Sequence, residues 1–180
     1  RDSYPIPRMD ECIDSLGDAT VFSTLDCNAG YWQIPVDPAD RPKTTFTSHE
    51  GLFWFLRMPF GLRNAPATFQ CFVDITLAGL SWKVCLIYLD DIIVFSQSVE
   101  YHLTHLDTVL HRAYSAGLTL NFKKCHFFKD TVGYPGHVIC PGKLAVAEKN
   151  TKALHSANHS TTQTELRSFL GLCNVYRRFI

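Results

Sequence analysis

Two apolar runs, Val84-Cys85-Leu86-Ile87-Tyr88 and Ile92-Ile93-Val94-Phe95, flank the tripeptide Leu89-Asp90-Asp91, and this stretch constrains the fold more than any other. Short runs rich in β-branched and aromatic residues read as strands, and so short a link leaves room only for a tight antiparallel hairpin. An all-helical fold is excluded. Both flanks are strongly apolar, so the hairpin is central rather than a surface flap. Two adjacent ionised acids at its tip repel each other and cost stability unless something positive sits beside them. Aspartate is also a good turn residue, so a solvated turn is the plain alternative. Two features weigh against that alternative. Val21-Phe22-Ser23-Thr24-Leu25-Asp26 reads as a second strand ending on an acid, and Cys27-Asn28-Ala29-Gly30-Tyr31 follows it with small residues whose backbone N–H groups can face an anion. Three carboxylates on neighbouring strand ends suit hard divalent cations, which prefer oxygen ligands. Two such ions ~3.5–4 Å apart stabilise the attacking and leaving oxygens of an in-line phosphoryl transfer.

The remaining pattern interleaves helices with short strands. Met9, Cys12, Ile13 and Leu16 mark one face of a short helix stopped by Gly17. Lys43–Ser48 and Leu52–Met58 read as strands joined by His49-Glu50-Gly51. Pro66 sits in the first turn of a helix with apolar face Phe69, Phe72, Val73, Thr76 and Leu77. Ser98 caps the next helix, with stripe Leu103, Leu106, Val109, Leu110 and Ala113, ended by Gly117. Strands are expected over Leu118–Asn121, Cys125–Phe128 and Val132–Ile139, then a helix over 147–155. Thr162-x-x-Glu165 is a capping box opening a last helix with Leu166, Phe169, Leu170 and Cys173. This is an α+β pattern, an antiparallel sheet backed by helices. No G-x-G-x-x-G or Walker A run is present to support a doubly wound nucleotide fold.

Charge is distributed unevenly about a net of zero. Residues 1–40 carry eight acids against two bases, whereas residues 112–178 carry ten bases against three acids. The basic rear is either solvated surface or a face that meets phosphates. Seven scattered cysteines include no Cys-x-x-Cys pair, which favours reduced, buried thiols and an intracellular compartment over a disulfide framework or zinc ribbon. No uncharged apolar run reaches the ~18–20 residues that cross a bilayer.

Tyr88-Leu89-Asp90-Asp91 resembles the Y-x-D-D box of reverse transcriptases. The segments Tyr4-Pro5-Ile6-Pro7-Arg8, Phe22–Asp26 with Gly30–Ile34, Met58–Leu62 with Asn64–Gln70, Gly136–Ile139 and Leu166–Leu172 are similar to the gypsy class of LTR retrotransposons, in order and over essentially the whole chain. The resemblance implies a polymerase palm, a ferredoxin-like antiparallel sheet backed by helices, with partial fingers and the start of the thumb or connection. It divides the chain into 1–121, palm with partial fingers; 122–142, a primer-grip-like hairpin region; and 143–180, a thumb-like helical segment. It implies an RNA-directed DNA polymerase, a nucleotidyltransferase using two Mg2+ ions, or Mn2+ in their place. Asp26, Asp90 and Asp91 match the metal-binding catalytic triad. Cys27, Ala29, Gly30, Tyr31, Phe60 and Gly61 match the nucleotide site, with Tyr31 screening the sugar 2′ position. Tyr88, Leu89, Lys123, Lys124, Tyr134, Pro135, Gly136 and His137 match primer and template contacts. Implied partners are a template–primer, deoxynucleoside triphosphates and the rest of a Pol polyprotein (protease, RNase H, integrase), in a cytoplasmic virus-like particle with no membrane. The chain is expected to be a piece of that polyprotein, beginning after the fingers strands and ending before RNase H.

Several positions depart from the family pattern. Pro135 replaces a usual Leu inside an expected strand, where it removes a ladder donor. Val175 replaces a usual Tyr, and Ser156-Ala157-Asn158-His159 lacks the usual Trp-Pro. These departures set a second reading beside the first, a catalytically inactive, nucleic-acid-binding remnant. His102-x-x-His105 and His155-x3-His159 read as structural or solvated histidines; Cys125-His126 with His137-x-x-Cys140 is a weak zinc pattern. Lys123 and Lys124 opposite Lys143 are either a charged hairpin edge or phosphate contacts. Tyr31 is a sugar screen or a core ring, and Trp32 is expected in the core.

Overall fold

A computed structural model describes residues 4–5, 11, 15–134, 137–140, 143–146 and 162–175. Its central sheet holds four antiparallel strands: β1 (Val21–Asp26), β4 (Cys85–Tyr88), β5 (Asp91–Ser96) and β6 (His126–Lys129), in the order β4-β5-β1-β6. A second sheet pairs β2 (Phe46–Ser48) with β3 (Gly51–Phe53), and a third is built from β7 (Val132–Tyr134), β8 (His137–Cys140) and β9 (Lys143–Val146). Three α-helices lie among the described residues: α1 (Ala65–Thr76), α2 (Val99–Ser115) and α3 (Gln163–Val175). Around the central sheet the chain order is therefore β1-α1-β4-β5-α2-β6.

Side-chain alternation along the strands sends successive residues to opposite faces. One face joins Leu25, Cys85, Ile87, Ile92 and Val94 to Phe69 and Val73 of α1, to Leu77 just past its end, and to Leu106, Val109 and Ala113 of α2. The other joins Phe22, Leu86, Ile93 and Phe95 to Leu16, Ala19, Val132 and Ile139. Both faces are covered, which is why the two hairpin strands are apolar at consecutive positions. β4 is nevertheless an edge strand; the central positions belong to β5 and β1.

Strand β1 and the two helix starts match the sequence expectations. Ser98 accepts a hydrogen bond from Tyr101 N–H at 3.4 Å, and Gly117 takes φ +74°, the left-handed value that ends a helix. Thr162 and Glu165 exchange backbone-to-side-chain bonds of 3.2 Å each, so the capping box is real.

Other expectations need correction. Residues 41–44 form a 3-10 turn rather than strand, because Pro42 fixes its φ near the helical value and Thr44 and Thr45 bond back to Arg41 and Pro42 carbonyls. β3 ends at Phe53, and Arg57 keeps only an isolated bridge to Pro35. The strand expected over 118–121 reduces to one bridge between Leu120 and Cys27. The strand expected over 132–139 is two strands, with Val132 opposite Ile139 and Tyr134 opposite His137. On α2, Leu103 is exposed and His102 takes the buried position. Trp32 is 39% exposed and lies against Phe55 and Phe60 instead of in the core. The expected helix near Met9 falls mostly, and that over 147–155 wholly, outside the described residues.

Candidate active site

β1 and the β4–β5 hairpin bring the three aspartates to one end of the central sheet. Asp26 closes β1 and stands directly opposite Asp91, the first residue of β5. Such partners project on the same face, ~4.5–5.5 Å apart at Cβ. Asp90 lies in the turn, and its carbonyl accepts Cys27 N–H at 3.1 Å, which ties the hairpin tip to the residue after Asp26. Tyr88 pairs with Asp91, leaving a two-residue turn in which Leu89 adopts φ +54°. Left-handed backbone is costly for a leucine. Its N–H is held by Gln70 Oε1 at 2.8 Å. Gln70 is fully buried on α1, and its amide donates to Asp74 Oδ1 at 3.2 Å, while Tyr4 OH donates to Asp74 Oδ2 at 2.8 Å. Sequence reasoning gave Gln70 no role; the available signal was one long polar side chain on the buried face of α1.

Electrostatics strain this end of the sheet. Partial burial, followed by the charges of Asp91 and Asp26, raises the Asp90 carboxyl above the usual carboxylate range. Asp91 is raised as well, first by the protein packed around it and then by Asp26. Lys124 pulls both in the opposite direction. The same neighbourhood pushes the buried Cys27 thiol up to about 12, chiefly through burial and then through Asp90 and Asp26, so Cys27 is a neutral packing residue.

Beside the aspartates, residues 30–33 make a 3-10 turn entered from Ala29 at φ 50°. Gln33 locks this turn: its amide donates to Asn28 O at 2.6 Å and Thr119 O at 3.0 Å, and its oxygen accepts Thr119 N–H at 2.8 Å. A Cβ on Gly30 would lie 2.4 Å from Asp90 Oδ1 and 3.0 Å from Phe69 Cζ, so only glycine lets the loop approach this closely. Tyr31 is half-buried, with its ring 5.1 Å from Phe60 and 5.8 Å, edge-on, from Phe69. Burial, then the charge of Asp90, raises its phenol. Phe60 is 59% exposed and Gly61 takes φ +89°.

No three His, Cys, Asp or Glu side chains among the described residues are gathered as a ready metal-ligand set. The donor chemistry nonetheless suits a hard cation. Asp90 Oδ1 is buried with no hydrogen-bond partner, a costly state for a carboxylate oxygen. Asp26 and Asp91 line a cavity of about 180 Å³ with Thr24, Lys124 and His126.

The expected primer and template contacts scatter. Lys123 is exposed, whereas Lys124 reaches Asp26. Tyr88 packs against the core on the face opposite α1 and α2. Tyr134 and His137 are backbone register partners across β7 and β8; Pro135 and Gly136 lie outside the described residues. His102 and His105 are structural. His102 Nε2 is 2.7 Å from Ser23 Oγ and its Nδ1 3.0 Å from Ser96 Oγ, which is also 2.8 Å from His105 Nδ1. Cys27, Cys71, Cys85, Cys125, Cys140 and Cys173 are all unpaired thiols, and no described helix is long and apolar enough to cross a membrane.

A family profile described as reverse transcriptase (RNA-dependent DNA polymerase) matches residues 1–139. The Retrovirus-related Pol polyprotein from transposon 297 of Drosophila melanogaster is 43% identical over 179 residues, 99% of this chain and 17% of that protein. That from transposon gypsy, of the same organism, is 38% identical over the same length, again 99% of this chain and 17% of the relative. Among solved structures, the foamy viral protease-reverse transcriptase in complex with RNA/DNA hybrid superposes with a TM-score of 0.81 at 25% identity, covering 98% of this chain and 24% of that one. The foamy viral enzyme with double-stranded DNA gives a TM-score of 0.86 at 25% identity, covering 98% and 31%.

Proposed function

Because the chain belongs to the reverse transcriptase family and is similar over 99% of its length to retrotransposon Pol polyproteins, we propose that it is the palm-centred part of an RNA-directed DNA polymerase that adds deoxynucleotides to a primer 3′ end. The observation that carries this reading is the meeting of Asp26, Asp90 and Asp91 at one sheet end, with the orphaned Asp90 Oδ1 among them. The β1-α1-β4-β5-α2-β6 order with spatial order β4-β5-β1-β6 is that of a split βαβ, ferredoxin-like palm. In this reading residues 1–121 are palm with partial fingers, 122–142 a primer-grip region and 143–180 the start of a thumb.

Asp26, Asp90 and Asp91 would hold two magnesium ions, which when bound supply activation of the primer 3′-hydroxyl and neutralisation of the leaving pyrophosphate. The chain's own residues do the positioning, which is most of what phosphoryl transfer asks of a protein. Gln70 holds the hairpin tip through Leu89. Gln33 holds the Ala29–Tyr31 turn, whose backbone would face the triphosphate. Tyr31, backed by Phe60 and Phe69, closes the space where a sugar 2′-hydroxyl would lie. The foamy viral relatives were solved with an RNA/DNA hybrid and with double-stranded DNA, and a template–primer of either kind is the partner proposed for this chain within its polyprotein.

Primer extension by the complete polymerase tests the reading. Asp90→Asn should abolish extension while leaving template–primer binding largely intact; extension near the wild-type rate would refute the assignment. A wild-type protein that binds template–primer yet never extends it would instead be a silent remnant.

A further inference from the structure

Lys124 is turned towards the carboxylates. Its Nζ lies 3.5 Å from Asp26 Oδ2, and the side chain walls the cavity that Asp26 and Asp91 share. The backbone fixes this placement. Asn121 N–H donates to the carbonyl of Asp26 itself at 2.9 Å, and Lys124 N–H donates to Asn121 O at 2.9 Å, so the turn carrying the lysine is anchored on the residue it faces. The neighbouring Lys123 is exposed and makes no ion pair among the described residues. Burial first, and then the neighbouring aspartates, raise the carboxyls of Asp90 and Asp91, and Lys124 opposes that rise at both. With 66% of its side chain exposed, the lysine adds little to global stability, as is usual for a solvated pair. Its effect falls on what else can occupy the carboxylates.

We propose that Lys124 is a built-in counter-cation of the carboxylate site: its ammonium offsets part of the aspartates' charge in the metal-free protein, and a divalent ion must displace it to bind. This rests on the carboxylate site proposed above. Metal loading is then an exchange of one cation for another, and the lysine weakens metal affinity in return for a site that stays assembled without metal. A unit charge set against a divalent ion across several ångströms of water-like medium is worth about tenfold in affinity.

Mn2+ binding to the 180-residue chain, followed by the electron paramagnetic resonance of free Mn2+, reads this without any activity. Lys124→Met should bind Mn2+ about tenfold more tightly, and Lys124→Arg, which keeps the charge, should stay near wild type. Equal affinity in wild type and Lys124→Met would overturn the proposal while leaving the carboxylate site standing. No Mn2+ binding by the wild type would remove both. A measurement on the unaltered protein covers the case in which Lys124→Met fails to fold. Acylation of Lys124, read by mass spectrometry against Lys123 as internal reference, should speed up when Mn2+ releases the amine. An unchanged ratio would refute displacement.

Discussion

Replacing Gln70 with leucine tests whether a residue outside the carboxylate cluster sets the geometry of the hairpin tip. The two side chains are similar in volume, so the substitution removes hydrogen bonds from a fully buried position without opening a large cavity. Leu89 N–H loses its 2.8 Å acceptor and Asp74 Oδ1 loses its 3.2 Å donor. Leaving a part-buried amide unpaired costs about 1–3 kcal/mol. Without that bond the left-handed Leu89, at φ +54°, has less to hold it there, and relaxing it would swing Asp90 away from Asp26. For a chain of this size the loss corresponds to a melting temperature lower by roughly 2–12 °C. Misplacement of a reacting group by ~1 Å can cost ~10²-fold in rate, so single-turnover extension should fall on that order while template–primer affinity holds. A second substitution separates strain from hydrogen bonding. Leu89→Gly, made in the Gln70→Leu background, removes the left-handed penalty and should recover about 1 kcal/mol. Urea unfolding and single-turnover extension check both variants. If Gln70→Leu matches wild type in stability and in rate, the idea that α1 positions the hairpin tip is wrong.

Three other outcomes follow from the same structure. Gly30→Ala should destabilise by about 1–3 kcal/mol, as overpacking does, and should abolish extension, because its Cβ would sit 2.4 Å from Asp90 Oδ1; thermal melting and primer extension report on each. Burial, and then His105, lower the His102 pKa below its usual 6.5, so the unfolded chain binds this proton more readily than the fold does. The stability His102 contributes is thus fully present above about pH 6.5 and is lost as pH falls from there towards the folded value. The urea midpoint should accordingly drop between roughly pH 7 and pH 5, and His102→Gln should flatten that slope; parallel slopes would count against it. Tyr31→Val should raise ribonucleotide use relative to deoxynucleotide use by tenfold or more, each tenfold being ~1.4 kcal/mol of relieved clash. An unaltered ratio of the two kcat/KM values would make Tyr31 a packing residue.

Elements whose signals are local can be read directly along the chain. β1, the carboxylate hairpin, the starts of α1 and α2 and the Thr162–Glu165 box are each written within a few consecutive residues, since strand alternation, caps and turns act between near neighbours. The three aspartates were legible for the same reason: charges at the ends of apolar strands are conspicuous in one dimension. Whatever depends on a distant partner emerges only in the folded chain. Leu103 and His102 are adjacent and both fit a helix stripe, and what satisfies the buried His102 is a pair of serines on two strands, one of them 79 positions away. Gln70 meets Leu89 across 19 positions, and Lys124 meets Asp26 across 98. The stretch 132–139 reads as one apolar strand until its two halves are found paired with each other. Trp32 has the composition of a core residue, yet it stays 39% exposed with Phe55 and Phe60 against it. Hydrophobic pattern records which faces avoid water, but a hydrogen bond or ion pair between remote side chains needs only one polar residue at each end. Such pairs leave no periodic trace along the chain, and they form only where the sheet's strand order brings the two ends together.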